Sequence, residues 1–195
     1  MTAEETKSTP EVDEYGLKIP VYSKMVLVIV PPRDYAETTM RYTRSKLFNV
    51  DVGSRVVSTQ EEELIHGHLQ DEFQPEAVIA DQEMRDYGGL ILCAGPGVVE
   101  LFDDEATLRL IREAAQQAKP IGAWGDSTAL LAKAGIVEKR RVTGDSAQRE
   151  TLAQAGAIFT GAQVEVDGLL VTADGESSGL RFAIALQKLL DPKAK

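Results

Sequence analysis

Short, continuous runs of apolar residues alternate along the chain with amphipathic or polar stretches. The run MVLVIV, which starts at Met25, is too short for a helix and is typical of a strand buried on both faces of a parallel sheet. We expect further strands at VDVGSRVVS, EAVIAD, GGLILCAG and PIGAW. A hairpin around Val166-Asp167-Gly168-Leu169 completes the predicted strands.

The segments between these runs have the spacing and the end signals of helices. Leu108, Ile111 and Ala115 share one face of a helix predicted over 103–118, which Asp103 or Asp104 is placed to cap. Further helices are predicted over 34–48, 127–134, 146–155 and 178–190. Strands that alternate with helices predict an α/β fold, a sandwich around a mainly parallel sheet.

The first residues have a different character from the rest. Residues 1–24 are polar, aperiodic and contain two prolines, so we expect an N-terminal extension followed by one domain over 25–195. A chain of 195 residues is long enough for one domain with a sizeable core.

Acidic residues outnumber basic ones, 31 to 21, and give a formal charge of −10. This charge disfavours nucleic acid as a partner, because phosphate binding needs clustered bases. Residues 60–86 alone carry nine acids and one base, Arg85. We interpret this acidic segment as a solvated face, with a partner or cation surface as the alternative.

The single cysteine, Cys93, excludes an intramolecular disulfide and favours a reducing compartment. No apolar run has the length of a membrane span, and the N-terminus lacks the order of a secretory signal. We therefore expect a cytoplasmic protein that does not enter a membrane.

Two loops are expected at the carboxyl ends of strands, where ligands of parallel α/β sheets bind. One is Cys93-Ala94-Gly95-Pro96-Gly97 and the other is Gly125-Asp126-Ser127. Their backbone N–H groups are suited to an anion or a developing oxyanion.

Three stretches resemble the DJ-1/PfpI superfamily, in the same order and at compatible spacing. KPIGAWGDSTALLAKAGIV resembles the nucleophile elbow and the helix that follows it, and GGLILCAGPG resembles the strand that ends in LPGG. VEVDGLLVTADGESSGLRFAIALQKLL resembles the closing hairpin, loop and helix. The resemblance implies a flavodoxin-like three-layer sandwich of the class I glutamine amidotransferase type, and usually a homodimer.

The resemblance also implies a cysteine at the elbow, a glutamate from the helix after the first strand, and oxyanion donors from the LPGG loop. Family activities attributed to this site include glyoxalase III, isocyanide hydration, amidase or peptidase action and deglycation. In this chain the cysteine position falls on Gly125, or on Trp124 in an alternative alignment. Neither residue is a nucleophile, whereas Glu37 matches the glutamate and Asp34 is a substitute one turn earlier.

Other residues near the elbow have a simple structural interpretation beside a catalytic one. Cys93 is a candidate relocated nucleophile or else a small buried residue of the core. Asp126 is a candidate nucleophile or water-activating group, but Asp126 and Ser127 are also the residues that capping a helix favours. Trp124 belongs to the core of a buried strand or forms the floor of a pocket.

His66 and His68 form a pair with the spacing that two metal ligands have on one strand. In a loop the same pair is usually exposed and unliganded, so the sequence predicts no metal, and no motif indicates a cofactor.

Our leading hypothesis is a DJ-1/PfpI-like protein without thiol chemistry, a pseudoenzyme that binds a small polar ligand or a protein partner. The binding residues would be Gly95, Trp124, Gly125 and Ser127. The alternative is a hydrolase or lyase for small carbonyl or amide compounds, acting through Glu37, Asp126 or Cys93. A third hypothesis is a regulatory subunit that uses the acidic segment and the extension.

Overall fold

A computed structural model describes residues 22–61, 63–191 and 193. The predicted extension therefore lies, up to residue 21, outside the described residues, and the first strand begins at Lys24. The strands are β1 (Lys24–Ile29), β2 (Val52–Ser58), β3 (Ile65–His66), β4 (Glu72–Phe73), β5 (Ala77–Val78), β6 (Leu90–Leu92), β7 (Ile121–Trp124), β8 (Arg141–Val142), β9 (Ile158–Phe159), β10 (Val164–Asp167) and β11 (Leu170–Ala173). The α-helices are α1 (Glu37–Phe48), α2 (Glu105–Gln116), α3 (Thr128–Lys133), α4 (Arg149–Gln154) and α5 (Gly179–Leu190).

Seven strands form the central sheet in the order β10-β11-β7-β6-β1-β2-β5. Every neighbouring pair is parallel except β10 and β11, which form the predicted antiparallel hairpin. The chain moves outward from β1 through β2 and then returns to place β6 on the other side of β1. This reversal opens a crevice at the carboxyl ends of β1 and β6.

Helices cover both faces of the sheet and divide the apolar core into two layers. Leu27 and Ile29 of β1 face a cluster that includes α2, α3 and α4. Val26 and Val28 face the opposite cluster, which is built with α1 and α5. The alternation follows from strand geometry, because successive side chains point to opposite faces. The structure thus confirms the flavodoxin-like three-layer sandwich. None of the described helices combines the length and apolar character that crossing a membrane requires.

Helix α1 begins later than the sequence predicts, at Glu37 instead of Asp34. Asp34 has a left-handed backbone with φ of 49°, and its N–H donates to the carbonyl of His66 at 2.7 Å. The N–H of Ala36 donates to the loop after β6 at 2.8 Å. Residues 34–36 are therefore held by neighbouring loops, and the helix can start only after them.

Two other predicted elements are shorter than expected. The strand at EAVIAD ends at Val78, because residues 79–81 turn into a short 3-10 helix. The helix over 146–155 consists of a 3-10 turn followed by α4. Of the two predicted caps for α2, Asp104 is the one used, since its carboxyl group accepts from the Thr107 N–H at 2.7 Å.

Candidate functional site

A cavity of about 530 Å³ opens at the carboxyl edge of the sheet, where β6, β7 and β11 end. Its walls come from six separate places in the chain, including the start of α1 and the turn after β3. The lining residues are Ala36, Glu37, Thr38, His68, Leu69, Ala94, Gly95, Pro96, Trp124, Gly125, Asp126, Asp145, Gly175, Glu176 and Ser177. The structure therefore brings Glu37, Gly95, Trp124, Gly125 and Asp126 together, as the sequence predicts.

Gly125 forms a left-handed turn directly after β7, with φ of 58°. Trp124, the alternative elbow position, has an extended backbone with φ of −138°. A Cβ atom added at Gly125 would lie 3.4 Å from the Cβ of Ala94 and 3.8 Å from the Cα of Gly175. These are ordinary contacts, so the space admits a side chain, while the backbone conformation favours glycine.

Asp126 connects the elbow to the loop after β6. Its Oδ1 accepts a hydrogen bond from the N–H of Gly95 at 3.0 Å. Burial is the main cause that raises the pKa of Asp126, and the carboxyl group of Asp145 also raises it. The capping interpretation of Asp126 is therefore wrong: no side chain caps α3, and this carboxyl group reaches across to another loop.

Ser127 is fully buried and does not line the cavity. Its Oγ accepts from the N–H of Trp124 at 3.2 Å and lies 3.0 Å from the carbonyl oxygen of Leu92. Its side chain does not cap α3, but its Oγ closes the 3-10 turn over residues 125–127 by accepting from the N–H of Trp124, the residue before that turn, and so holds the elbow against β6. The structure therefore does not bring the predicted binding residue Ser127 to the cavity wall.

Glu37 is the first residue of α1 and is only 3% exposed. Its Oε1 accepts from the N–H of Leu69 at 2.6 Å and from the N–H of Asp71 at 3.3 Å. These bonds hold the turn between β3 and β4 against the cavity. Among the described residues, no hydrogen bond reaches its Oε2, and the side chain lines the cavity.

Cys93 is 0% exposed and packs in the core on the α1 and α5 side of the sheet. Its Sγ lies 3.6 Å from the carbonyl oxygen of Ala36. Burial raises the pKa of the Cys93 thiol well above its ordinary value. The thiol does not line the cavity, so this geometry disfavours the relocated nucleophile and supports the core interpretation.

Sequence reasoning missed Glu176, which lies in the loop between β11 and α5. Its Oε1 accepts from the indole Nε1–H of Trp124 at 3.1 Å, and its carboxyl group lies 3.3 Å from the N–H of Thr39. The indole of Trp124 also packs on Phe182, with ring centroids 5.3 Å apart. Glu176 thus joins the elbow to the first turn of α1. Its position after a parallel strand was the available signal, since such loops line the ligand edge.

The two histidines have different surroundings. His66 lies on β3, where its Nδ1 is 3.6 Å from a carboxyl oxygen of Glu72, and its side chain is exposed. His68 follows in the turn and lines the cavity. Within residues 22–61, 63–191 and 193, no three His, Cys, Asp or Glu side chains are grouped to hold a metal ion. Asp145 and Ser177, which have no distinctive motif in the sequence, also line the cavity.

A flavodoxin-like sandwich with a cavity beside a left-handed turn at the end of a central strand defines the class of α/β proteins that carry their site on an elbow. The comparison with protein families is more specific. The chain belongs to the DJ-1/PfpI family, whose model matches residues 24–189.

Two curated relatives differ in how much of the chain they cover. An uncharacterized protein of Methanocaldococcus jannaschii is 27% identical over 169 residues, which are 85% of this chain and 82% of that protein. An isonitrile hydratase of Pseudomonas putida is 34% identical over 102 residues, which are 51% of this chain and 45% of the hydratase.

Solved structures support the same fold. The crystal structure of a ThiJ/PfpI domain protein from Brachyspira murdochii superimposes with a TM-score of 0.82 at 21% sequence identity. The match covers 87% of this chain and 98% of that one.

Proposed function

We propose that this DJ-1/PfpI protein binds a small polar ligand in the cavity and works without the thiol chemistry that the family resemblance implies. Gly125 stands at the left-handed turn where that resemblance expects a cysteine, and it carries no reactive group. The only thiol of the chain, Cys93, is buried outside the cavity.

The observation that carries the proposal is the hydrogen bond between Asp126 Oδ1 and the N–H of Gly95, at 3.0 Å. The loop of Gly95 is the one expected to donate N–H groups to a developing oxyanion. In this chain an acidic side chain of the protein takes that donor, so an oxyanion would have to displace a carboxyl group. The arrangement favours binding over stabilisation of an anionic intermediate.

Two measurements test this proposal together. We expect Cys93 to resist iodoacetamide in the native protein and to react after unfolding. We expect no consumption of methylglyoxal above the uncatalysed rate. Native methylglyoxal turnover that disappears in Cys93→Ser would overturn the proposal. Cys93→Ala is the matched control, because it also removes the thiol but adds no hydroxyl group to the core.

A second function, hydration through carboxyl groups, is favoured by the isonitrile hydratase relative and by the raised pKa of Asp126. A carboxyl group that keeps its proton at higher pH is a suitable general acid, and Glu37 would act as the base toward water. Hydration of an isonitrile places the oxygen and one hydrogen of water on the terminal carbon and the other hydrogen on the nitrogen, which gives an N-substituted formamide.

Hydration is tested with a simple alkyl isonitrile and formamide detection by NMR. The hydratase model expects turnover that both Asp126→Asn and Glu37→Gln abolish. No formamide from the wild type, or turnover that survives in both variants, would reject it.

The homodimer, the cytoplasmic location and a role of the acidic segment in partner binding stay predictions from the sequence and the family resemblance.

A further inference from the structure

Two helix N-termini meet beside the cavity, and neither is capped by its own N-cap residue. Helix α1 has Ala36 at its N-cap, which carries no acceptor, and the side chain of Ser178 makes no capping bond to α5. The two ends are in contact, because a Cβ atom at Gly179 would overlap the hydroxyl of Thr39. Each helix has 12 residues, so two sets of N-terminal N–H groups and two positive dipole ends converge here.

Two buried hydroxyl groups at this junction give an independent reason to expect a ligand. Thr39 is 0% exposed and Ser178 is 1% exposed. Within the part of the chain that the structure describes, Thr39 Oγ1 and Ser178 Oγ have no hydrogen-bond partner. Thr39 lies in the first turn of α1, and Ser178 directly precedes α5. A buried hydroxyl without a partner is a costly arrangement, which a bound acceptor relieves.

The carboxyl group of Glu176 partly fills this place. It accepts from the N–H of Thr39 at 3.3 and 3.4 Å and from the indole N–H of Trp124 at 3.1 Å. The bonds from Thr39 are longer than typical N–H···O bonds, and neither of the two hydroxyls bonds to the carboxyl group. Glu176 is an exposed residue, only two positions before Ser178, so its own chain limits how closely it approaches. The donors of the two helix ends are therefore incompletely used.

We propose that the N-termini of α1 and α5 form a binding site for a small carboxylate, and that the carboxyl group of Glu176 is its internal occupant in the free protein. The proposal rests on the proposed binding function and names the group by which the ligand is recognised. A free carboxylate has no tether, so it can approach the N–H of Thr39 more closely and accept from the hydroxyls of Thr39 and Ser178 as well.

The acidic wall of the cavity is compatible with such a ligand. Glu37, Asp126 and Asp145 also line the cavity and disfavour an additional anion. A carboxylate that takes the place of Glu176, however, exchanges one carboxyl group for another at the helix ends. The exposed side chain of Glu176 can turn into solvent during this exchange, and it competes with the ligand at all other times.

The test empties the site in the full chain with Glu176→Ala and offers acetate and acetamide, two probes of the same size that differ in charge. Ionic strength is held constant with sodium chloride. Binding is followed by thermal unfolding and by the fluorescence of Trp124, the sole tryptophan, whose indole N–H loses its acceptor in this variant. We expect acetate to bind Glu176→Ala at least about tenfold more tightly than acetamide does. Acetate should bind the wild type at least about tenfold more weakly than the variant, because Glu176 occupies the site.

Two further substitutions, made in the Glu176→Ala chain, locate the bound acetate. Thr39→Val and Ser178→Ala each remove one buried hydroxyl and should each weaken acetate binding by about two- to tenfold. The matched control is Thr107→Val. Thr107 occupies the same position in the first turn of α2 and also has a buried hydroxyl without a partner among the described residues, but its N–H donates to the N-cap residue Asp104. This control should leave the acetate affinity unchanged.

The outcomes separate the two proposals. Acetate that binds Glu176→Ala no more tightly than acetamide overturns the carboxylate site, and so does acetate binding that Thr39→Val and Ser178→Ala weaken no more than Thr107→Val. Equal acetate affinity of the wild type and Glu176→Ala overturns the role of Glu176 as internal occupant. None of these results touches the proposed function, which the reactivity of Cys93 and the methylglyoxal assay test independently.

Discussion

Replacing Gly125 with cysteine is the most direct test of how the elbow is built. The structure provides room for the new side chain, because its Cβ would lie 3.4 Å from the Cβ of Ala94. The left-handed φ of 58° is the remaining obstacle. The variant therefore separates the backbone cost of a side chain at this turn from any steric cost.

The expected loss of stability is that of one non-glycine residue in a left-handed conformation, about 1–2 kcal/mol. For a domain of this size, each kcal/mol lowers the melting temperature by roughly 2–4 °C. Gly125→Cys should therefore melt about 2–8 °C below the wild type, and Gly125→Ala should behave in the same way because it has the same Cβ.

The assay combines thermal unfolding with iodoacetamide labelling, mapped by mass spectrometry. The new thiol faces the cavity and should react in the native state, whereas Cys93 in the same molecule should stay unmodified. Gly135→Ala is the matched control, since Gly135 has φ of 75° and nothing within 4 Å of an added Cβ. It should lose as much stability as Gly125→Ala.

Three results would refute this reasoning. A loss much larger than that of Gly135→Ala would mean that the space beside Gly125 is not open. An unchanged melting temperature would mean that the turn carries no strain. A thiol at 125 that is as inert as Cys93 would show that the position does not face the cavity.

Three further predictions concern the acidic side chains of the site. Burial raises the pKa of Asp126, so its ionisation costs stability as pH rises through the folded-state pKa. The melting temperature of Asp126→Asn minus that of the wild type should therefore become more positive as the pH rises from 3 to 7. A difference that stays constant or falls contradicts this prediction. Glu176→Ala removes the acceptor for Thr39 and Trp124 and should cost about 1 kcal/mol, with a changed tryptophan emission spectrum; Glu176→Gln is its control. Glu37→Ala should speed amide hydrogen exchange in the β3–β4 turn, whereas Glu37→Gln should preserve protection; equal protection in both contradicts the assigned hydrogen bonds.

The sequence predicts the sheet better than it predicts the loops. The strands β1, β2, β6 and β7 are continuous apolar runs, and the hairpin of β10 and β11 contains a glycine, Gly168, at its left-handed turn. These signals are local, and burial on both faces of the sheet reinforces them. The start of α1, by contrast, does not follow from the local sequence, because hydrogen bonds from residues 34–36 to other loops determine where the helix begins.

The same distinction holds for the site. Gly125 and Glu37 are reached through motifs, and the structure places both on the cavity. The sequence predicts Asp126 as a cap, because aspartate before a helix usually is one. The competing acceptor role depends on the loop of Gly95, which only the fold brings near. Glu176 has no distinctive sequence context, and its role depends on contacts with Trp124 and Thr39.

The origin of the cavity wall in six separate segments of the chain has a consequence for how occupancy can be detected. The residues that line it lie between positions 36 and 177, so the wall exists only when the whole sheet is assembled. A ligand that binds there stabilises the complete fold by mass action, by about 2.7 kcal/mol at a hundredfold excess over Kd. In a domain of this size the melting temperature then rises by roughly 5–11 °C, which makes global thermal stability a direct measure of cavity occupancy.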